Sequence, residues 1–307
     1  MTLYDKIAII GHNGWAAQAI VKALAAQAFE QPIRIIAREQ SSIDTLPNNV
    51  EVVRYSWDNP SSITSALDGV DILLSFIGHA GLKDQEKMVP YMRDAGVKLF
   101  APSDLALPYT AEEREHVTVP REKEELEHKL HAAGVPFVTI VIGNFTSFAL
   151  DSPYMGIDLV NNRILHTGES RTNPVYLCSR DYVAAGYASI FTQSTIPFLS
   201  DRTIGLNELH PTTADIEAAM HKKSGVPPST AFDSLKNAAE LAKQDRLDAL
   251  VRKKMGDGTH NVGNDIWEVE GYEKKTLEDF IIGDALDDPP YIRGDEQTRR
   301  FLDEYFD

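Results

Sequence analysis

The stretch IAIIGHNGWAAQAIVKAL, residues 7–24, holds the first residues able to do chemistry. An apolar run ends at Gly11, Gly14 follows, and Ala17 stands within an alanine-rich helical pattern. A helix start offers unpaired backbone N–H groups and the positive end of a dipole, which suit the anionic oxygens of a dinucleotide pyrophosphate. Gly11 permits a tight turn out of the strand, and Gly14 lets phosphate approach bare backbone. Ala17, small like the usual third glycine, lets the helix sit close to the sheet. An ordinary glycine-bearing βα turn has the same spacing, so the motif by itself is weak. Its place between the first strand and first helix of a longer βα array favours a cofactor loop.

The end of the second strand reads IRIIAREQSS, with Arg38 directly after the apolar run and no acid at the strand tip. An acid there would bind the ribose 2′-hydroxyl of NAD, whereas a guanidinium matches the 2′-phosphate of NADP bidentately. Glu39, one residue on, is expected to point away, and Ser41 or Ser42 can add a hydroxyl. NADP(H) is therefore the expected cofactor. The other reading of Arg38 is a solvated charge at a strand end.

These residues need elements to hold them. Apolar runs predict strands at 6–11, 32–37, 50–55, 71–77, 97–101 and 136–142, with helices at 14–28, from Pro60 to Gly69, 82–95 and 121–133. Strands alternating with helices imply parallel pairing through right-handed crossovers. The expected fold is α/β, a Rossmann-type doubly wound parallel sheet with ligands at the carboxyl ends of its strands. After residue 150 the pattern loosens, with helices predicted at 179–191, 212–223 and 235–254. The expected division is a NAD(P)-binding domain over 1–150, to which about 174–195 return, and a smaller α/β substrate-binding part over 151–307. Residues 268–307 hold thirteen Asp and Glu against five Lys and Arg, which reads as a solvated acidic face or flexible tail.

Composition narrows the class. The chain has 307 residues, 43% hydrophobic and 25% charged, as in ordinary globular proteins. Its formal charge of −16 argues against a nucleic-acid surface. No apolar run approaches the roughly 20 residues of a membrane helix, and no signal peptide is evident. The single cysteine, Cys178, reads as buried packing and fits a reducing, cytoplasmic setting. His128 and His131 are spaced to touch one metal but lack a third ligand, so no metal site is expected. His12 and His79, in loops near the cofactor, read as structural. No tyrosine has a lysine four residues on, so the usual Tyr-x-x-x-Lys acid of short-chain dehydrogenases is absent.

In order and spacing, GHNGWAAQAI, AREQSS, SALDGVDILLSFIG, LFAPSD and HAAGVPFVTIVIGNF resemble the NmrA-like, isoflavone-reductase-like proteins, atypical short-chain dehydrogenases/reductases, in a form similar to fungal members. The resemblance covers about residues 5–190. It implies a Rossmann-type domain that binds NADPH and a smaller part that closes over a small-molecule substrate. It places Gly11, Asn13, Gly14 and Trp15 at the pyrophosphate loop, Arg38 at the 2′-phosphate and Asp58 near the adenine. Phe76, Ile77 and Gly78 fall beside the cofactor ribose, and Asn144 and Phe145 at the nicotinamide pocket. Ser103 and Asp104 stand where the reductases carry Ser-Glu-Phe-Gly; the acid is kept in kind and the Phe-Gly is lost. Counting back thirteen residues from Pro136 puts the reductases' lysine at Lys123, which can bond the nicotinamide ribose and relay a proton. Against this, Lys123 lies in REKEELEHK, a charged helix face where it can pair with Glu127 at i,i+4.

Two functions follow from the resemblance. One is an NADPH-dependent reductase that passes hydride to an activated C=C, carbonyl or quinone-methide carbon of an aromatic or polyketide-type metabolite, with Lys123 assisting protonation. The other is a non-catalytic NADP(H)-sensing regulator acting through a partner protein. A homodimer is left open.

Overall fold

In the computed structural model, residues 6–43, 46–150, 152–283, 285–287 and 296–306 are described. Five of the predicted strands form in one sheet: β1 (Ile7–Ile10), β2 (Arg34–Arg38), β3 (Glu51–Tyr55), β4 (Ile72–Ser75) and β5 (Leu99–Ala101), with β3 half exposed and the others mostly apolar and buried, save Arg38 exposed at the end of β2. They pair in parallel in the order β3-β2-β1-β4-β5. A parallel bridge from Phe100 to Phe137 carries the sheet on to β6 (Val138–Val141). The chain order therefore reverses between β1 and β4, and the crevice above that switch is where a ligand is expected.

Helices cover both faces, and the pleat of β1 shows how. Ile7 and Ile9 pack with Ile20 and Leu24 of α1 (Trp15–Ala25). Ala8 and Ile10 face the other way, toward Leu67 of α2 (Pro60–Leu67), Met88 and Met92 of α3 (Leu82–Ala95) and, past α4 (Ala111–His116), Leu126 and Leu130 of α5 (Thr118–Ala133). Successive strand residues point to opposite faces, so a strand buried on both sides must be apolar throughout.

Beyond β6 the elements are shorter. β7 (Asn144–Phe145) leads into α6 (Thr146–Leu150); β8 (Ile157–Asp158) pairs antiparallel with β9 (Arg163–Thr167); and β10 (Leu177–Cys178) pairs parallel with β7. α7 (Arg180–Gln193) shares a core with α1, with Tyr187 and Phe191 fully buried. After α8 (Ile196–Leu199), β11 (Arg202–Gly205) pairs parallel with β6 along its whole length. α9 (Thr213–Ser224) is followed by β12 (Ser229–Asp233), which pairs parallel with β9.

Two expectations need correction here. The helix predicted over 235–254 is two, α10 (Leu235–Ala242) and α11 (Leu247–Asp257). Asp245 between them has φ +62°, and its carboxylate accepts from the Thr118 N–H at 2.7 Å and the Thr118 hydroxyl at 2.8 Å. The break thus supplies acceptors to the start of α5, whose first amides have no partner within the helix. The acidic C-terminal stretch is not a flexible tail where it is described. After α12 (Leu277–Ile281), α13 (Glu296–Asp303) buries Phe301 and Leu302, Asp303 pairs with Arg163 at 2.5 Å, and the Arg252 guanidinium lies 4.1 Å from the Phe301 ring centroid. Apolar anchoring between charges holds this acidic segment down.

Candidate cofactor groove and buried lysine

At the carboxyl ends of β1, β2 and β4 lies a groove of about 480 Å³. It gathers Gly11, Asn13, Gly14, Arg38, Ser41, Phe76, Ile77 and Gly78 from the sequence reading, places His12, read as structural, in its wall, and adds Tyr55 and Asp84. Gly11 leaves β1 at φ +78°, and a Cβ there would stand 2.6 Å from the Phe76 carbonyl carbon. The ends of β1 and β4 approach closely only because Gly11 has no side chain. Gly14 differs. A Cβ at Gly14 would meet nothing nearer than the Ala17 Cβ at 3.6 Å, an ordinary contact. The protein's own packing does not require that bare backbone, and no side chain caps α1, whose N-cap is Gly14. The first amides of α1 are left to an external acceptor.

The two glycines therefore predict opposite phenotypes. Gly11→Ala should lower stability by about 2–4 kcal/mol, from the left-handed backbone and the overlap with β4. Gly14→Ala should melt near the wild-type temperature while weakening dinucleotide binding. Thermal melts and calorimetric titration of the two variants check this.

At the groove's outer end Arg38 closes β2 and is exposed, with no ion-pair partner among the described residues. In register beside it, Tyr55 is buried. Burial pushes the Tyr55 phenol up, the Arg38 charge opposes this, and Asp84 adds to it. His12 is buried and its Nε2 lies 3.0 Å from the Ser42 carbonyl, so that nitrogen carries the proton and donates. Burial lowers the His12 pKa, the Ser42 contact opposes, and the Arg54 charge lowers it further. Asn13 Nδ2 donates to the same carbonyl at 3.0 Å. His79 has no described side chain. Asp58 sits in an exposed turn after β3, and neither it nor Trp15, Ser103, Lys123, Asn144 or Phe145 is among the groove's walls.

Lys123 projects from the second turn of α5 and is buried, 7% exposed. Its ammonium donates to Asp104, equally buried, in the loop after β5. The i,i+4 pairing with Glu127 does not form; Glu127 pairs with Arg114 at 3.2 Å. The neighbouring Ser103 N–H donates to the fully buried Gln85 side chain of α3 at 2.9 Å, which fixes that loop. A second buried lysine, Lys254 of α11, bonds both carboxylate oxygens of Glu113 at 3.0 and 2.9 Å. Lys123 Nζ and Lys254 Nζ each stand 5.9 Å from the Tyr109 ring centroid, within cation–π range. Burial pushes the Tyr109 phenol up, and Asp104 and Glu113 add to the effect. Tyr109 and Lys254 were not singled out from sequence, since neither lies in a recognisable motif.

Asn144 and Phe145 follow Gly143, where φ is +70° and a Cβ would fall 2.0 Å from the Tyr176 carbonyl oxygen. That glycine lets β7 lie against the 176–178 segment. His260 Nδ1 accepts from the Tyr176 N–H at 3.1 Å, so its Nε2 donates to Asn144 Oδ1 at 2.9 Å. Burial pushes His260 down to about 3, so it stays neutral and fixes the Asn144 amide. Phe145 packs edge-on against Trp15 at 5.1 Å, and the Arg180 guanidinium lies 5.2 Å from the Trp15 ring. Phe76 joins the groove to the interior, its ring 5.2 Å from that of buried Tyr187, whose phenol is pushed up by burial and by the Asp104 charge. Burial also raises the Cys178 thiol, which is inert packing. No metal-binding group of His, Cys, Asp or Glu occurs among the described residues, and His131 stacks edge-on against Phe137. No helix among them is long and apolar enough to cross a membrane.

With this geometry in hand, the chain was compared with known proteins. Residues 4–169 match the model of the NmrA-like family. An isoflavone reductase-like protein of Olea europaea is 28% identical over 160 residues, 47% of this chain and 50% of that protein. Phenylcoumaran benzylic ether reductase Pyrc5 of Pyrus communis is also 28% identical over 160 residues, with the same coverage of 47% and 50%. The chain thus spans about half the length of the curated relatives it matches. Among solved structures, an isoflavone reductase superposes with a TM-score of 0.75 at 18% identity, covering 91% of this chain and 98% of the other. The leucoanthocyanidin reductase–NADPH complex of Vitis vinifera gives 0.72 at 15% identity, covering 90% and 98%. At such identities these likenesses establish the Rossmann-type fold. The named sequence relatives are plant proteins, so the fungal affinity expected from sequence finds no support. With its family model matched over more than half its length, the chain belongs to the NmrA-like family.

Proposed function

We propose that this chain is an NADPH-dependent reductase of a small aromatic secondary metabolite. The observation that carries the reading is the groove itself. Uncapped amides open α1 at a glycine whose missing side chain the protein does not need, and at the adjoining strand tip stands a guanidinium with no ion-pair partner among the described residues. These features fit a dinucleotide with an extra phosphate. The comparisons lend support, since relatives are named as reductases and one similar structure is named as an NADPH complex.

NADPH, when bound, supplies the hydride. The chain's residues do the rest. The amides of α1 and Arg38 hold the anionic groups. Trp15 and Phe145 wall off water beside Asn144, whose amide His260 orients. Lys123, oriented by Asp104, carries the proton that balances hydride addition to a C=C, carbonyl or quinone-methide carbon, directly or through one water. The buried lysine–aspartate pair also favours catalysis over cofactor sensing, because it preserves the acidic position after β5. A reducing cytoplasmic setting suits the lone buried thiol.

The test is NADPH oxidation across a panel of phenylpropanoid, flavonoid and polyketide-type acceptors, with NADPH affinity measured in parallel. Turnover of at least one aromatic acceptor supports the reading. Tight NADPH binding without turnover anywhere in the panel would replace it with the regulator.

A further inference from the structure

Arg54 stands on β3 opposite Ala37 of β2, one step before the Arg38–Tyr55 pair. Its side chain, though exposed, curls back over the adjoining turn. Nη1 donates to the Arg38 carbonyl at 3.1 Å, the Glu39 carbonyl at 2.7 Å and the Ser41 carbonyl at 3.1 Å. The Ser42 carbonyl is held in turn by His12 and Asn13, each at 3.0 Å. Of the five carbonyls from Arg38 to Ser42, four accept from a side chain outside the loop. An exposed turn of this kind would otherwise fluctuate, and ordering it costs about 1–2 kcal/mol per residue. Carbonyl oxygens also repel a phosphate, and drawing three of them onto one cation offsets that repulsion. Arg54 is not itself among the groove's walls, whereas Arg38 and Ser41 are, so its effect on a ligand there runs through the turn it holds.

We propose that Arg54 determines specificity for dinucleotides carrying a ribose 2′-phosphate, as a positioning residue that braces the turn bearing Arg38 and Ser41 before the phosphate arrives. The proposal rests on the reading of the groove as an NADP(H) site. It adds to that reading a residue no strand-tip motif indicates. Preorganisation of this sort raises affinity by removing the ordering cost from the binding step. Only the phosphate-bearing cofactor gains from it.

The experiment titrates the full chain, and its Arg54→Met and Arg54→Lys variants, with NADPH, NADH and adenosine 2′,5′-bisphosphate in a calorimeter. Arg54→Met should weaken NADPH and the bisphosphate on the order of tenfold and leave NADH within about twofold. Arg54→Lys should keep the NADPH-to-NADH ratio within about threefold of wild type, because an ammonium has three donors for the same carbonyls. An Arg54→Met protein with the wild-type ratio, whether from no loss or from equal losses, overturns the proposal. Should that variant fail to fold, a folded Arg54→Lys protein that loses the preference does the same. A wild type that binds neither dinucleotide would instead remove the underlying reading, which sets the two failures apart.

Discussion

Replacing both members of the buried pair, in Lys123→Met/Asp104→Asn, is expected to leave a folded protein that binds NADPH and turns over about 10²-fold more slowly or worse. The double variant matters because Lys123→Met alone would leave the Asp104 carboxylate buried without its cation, which costs about 3–5 kcal/mol. A lysine serving only that pair would be dispensable once the aspartate is neutralised, and turnover would return. A lysine that carries a proton to the substrate would not be rescued. The measurement is kcat beside the NADPH dissociation constant in wild type, single and double variants. Recovery of kcat in the double variant removes Lys123 from the chemistry.

Arg38→Ala is expected to weaken NADPH about 30- to 100-fold, with NADH within about twofold. The magnitude follows from losing charge-assisted hydrogen bonds to a phosphate, about 2–3 kcal/mol in total. The guanidinium is available for that role, since no carboxylate competes for it among the described residues. Competition titrations with both reduced dinucleotides measure the ratio directly. Equal losses would contradict the assignment of the strand tip to the 2′-phosphate.

The strands β1, β2, β4, β5 and β6 were legible because each lies in a short apolar run, and burial on both faces demands that composition; β3, at the sheet edge, showed instead through its β-branched Val52 and Val53 in EVVRY, half exposed. β11 was not legible. Arg202–Gly205 buries Ile204 and Gly205 but carries an arginine and a threonine ahead of them, so no run stands out. The break at Asp245 was hidden because its carboxylate answers the amide and hydroxyl of Thr118, 127 positions away. Among candidate site residues, Gly11 and Gly14 were legible from their spacing at the strand-to-helix turn, and Arg38 from its charge at the strand tip. Lys123 was reached only through the family spacing: its helix is largely charged, and its partner comes from a loop 19 residues upstream instead of the next turn. Tyr109 and Lys254 needed the fold itself, since Lys254 reaches Glu113 across 141 residues. Arg54 became visible only once β3 was known to border β2. Local spacing reveals what the backbone requires of one segment, while side chains that cross between segments stay silent until the topology is fixed.

The contact between Asp245 and Thr118 has a practical corollary. The helix that carries Lys123 begins on a foothold provided by the distal half, and the Tyr109 ring beside that lysine is flanked by an ammonium from the same half. Excising residues 1–150 as an autonomous module would strip α5 of its opening acceptors and leave Glu113 without Lys254. Such a fragment would keep the groove above β1, β2 and β4 yet lose contacts that fix α5 and Lys123, so a shortened form of this chain needs the joint around residue 245 intact.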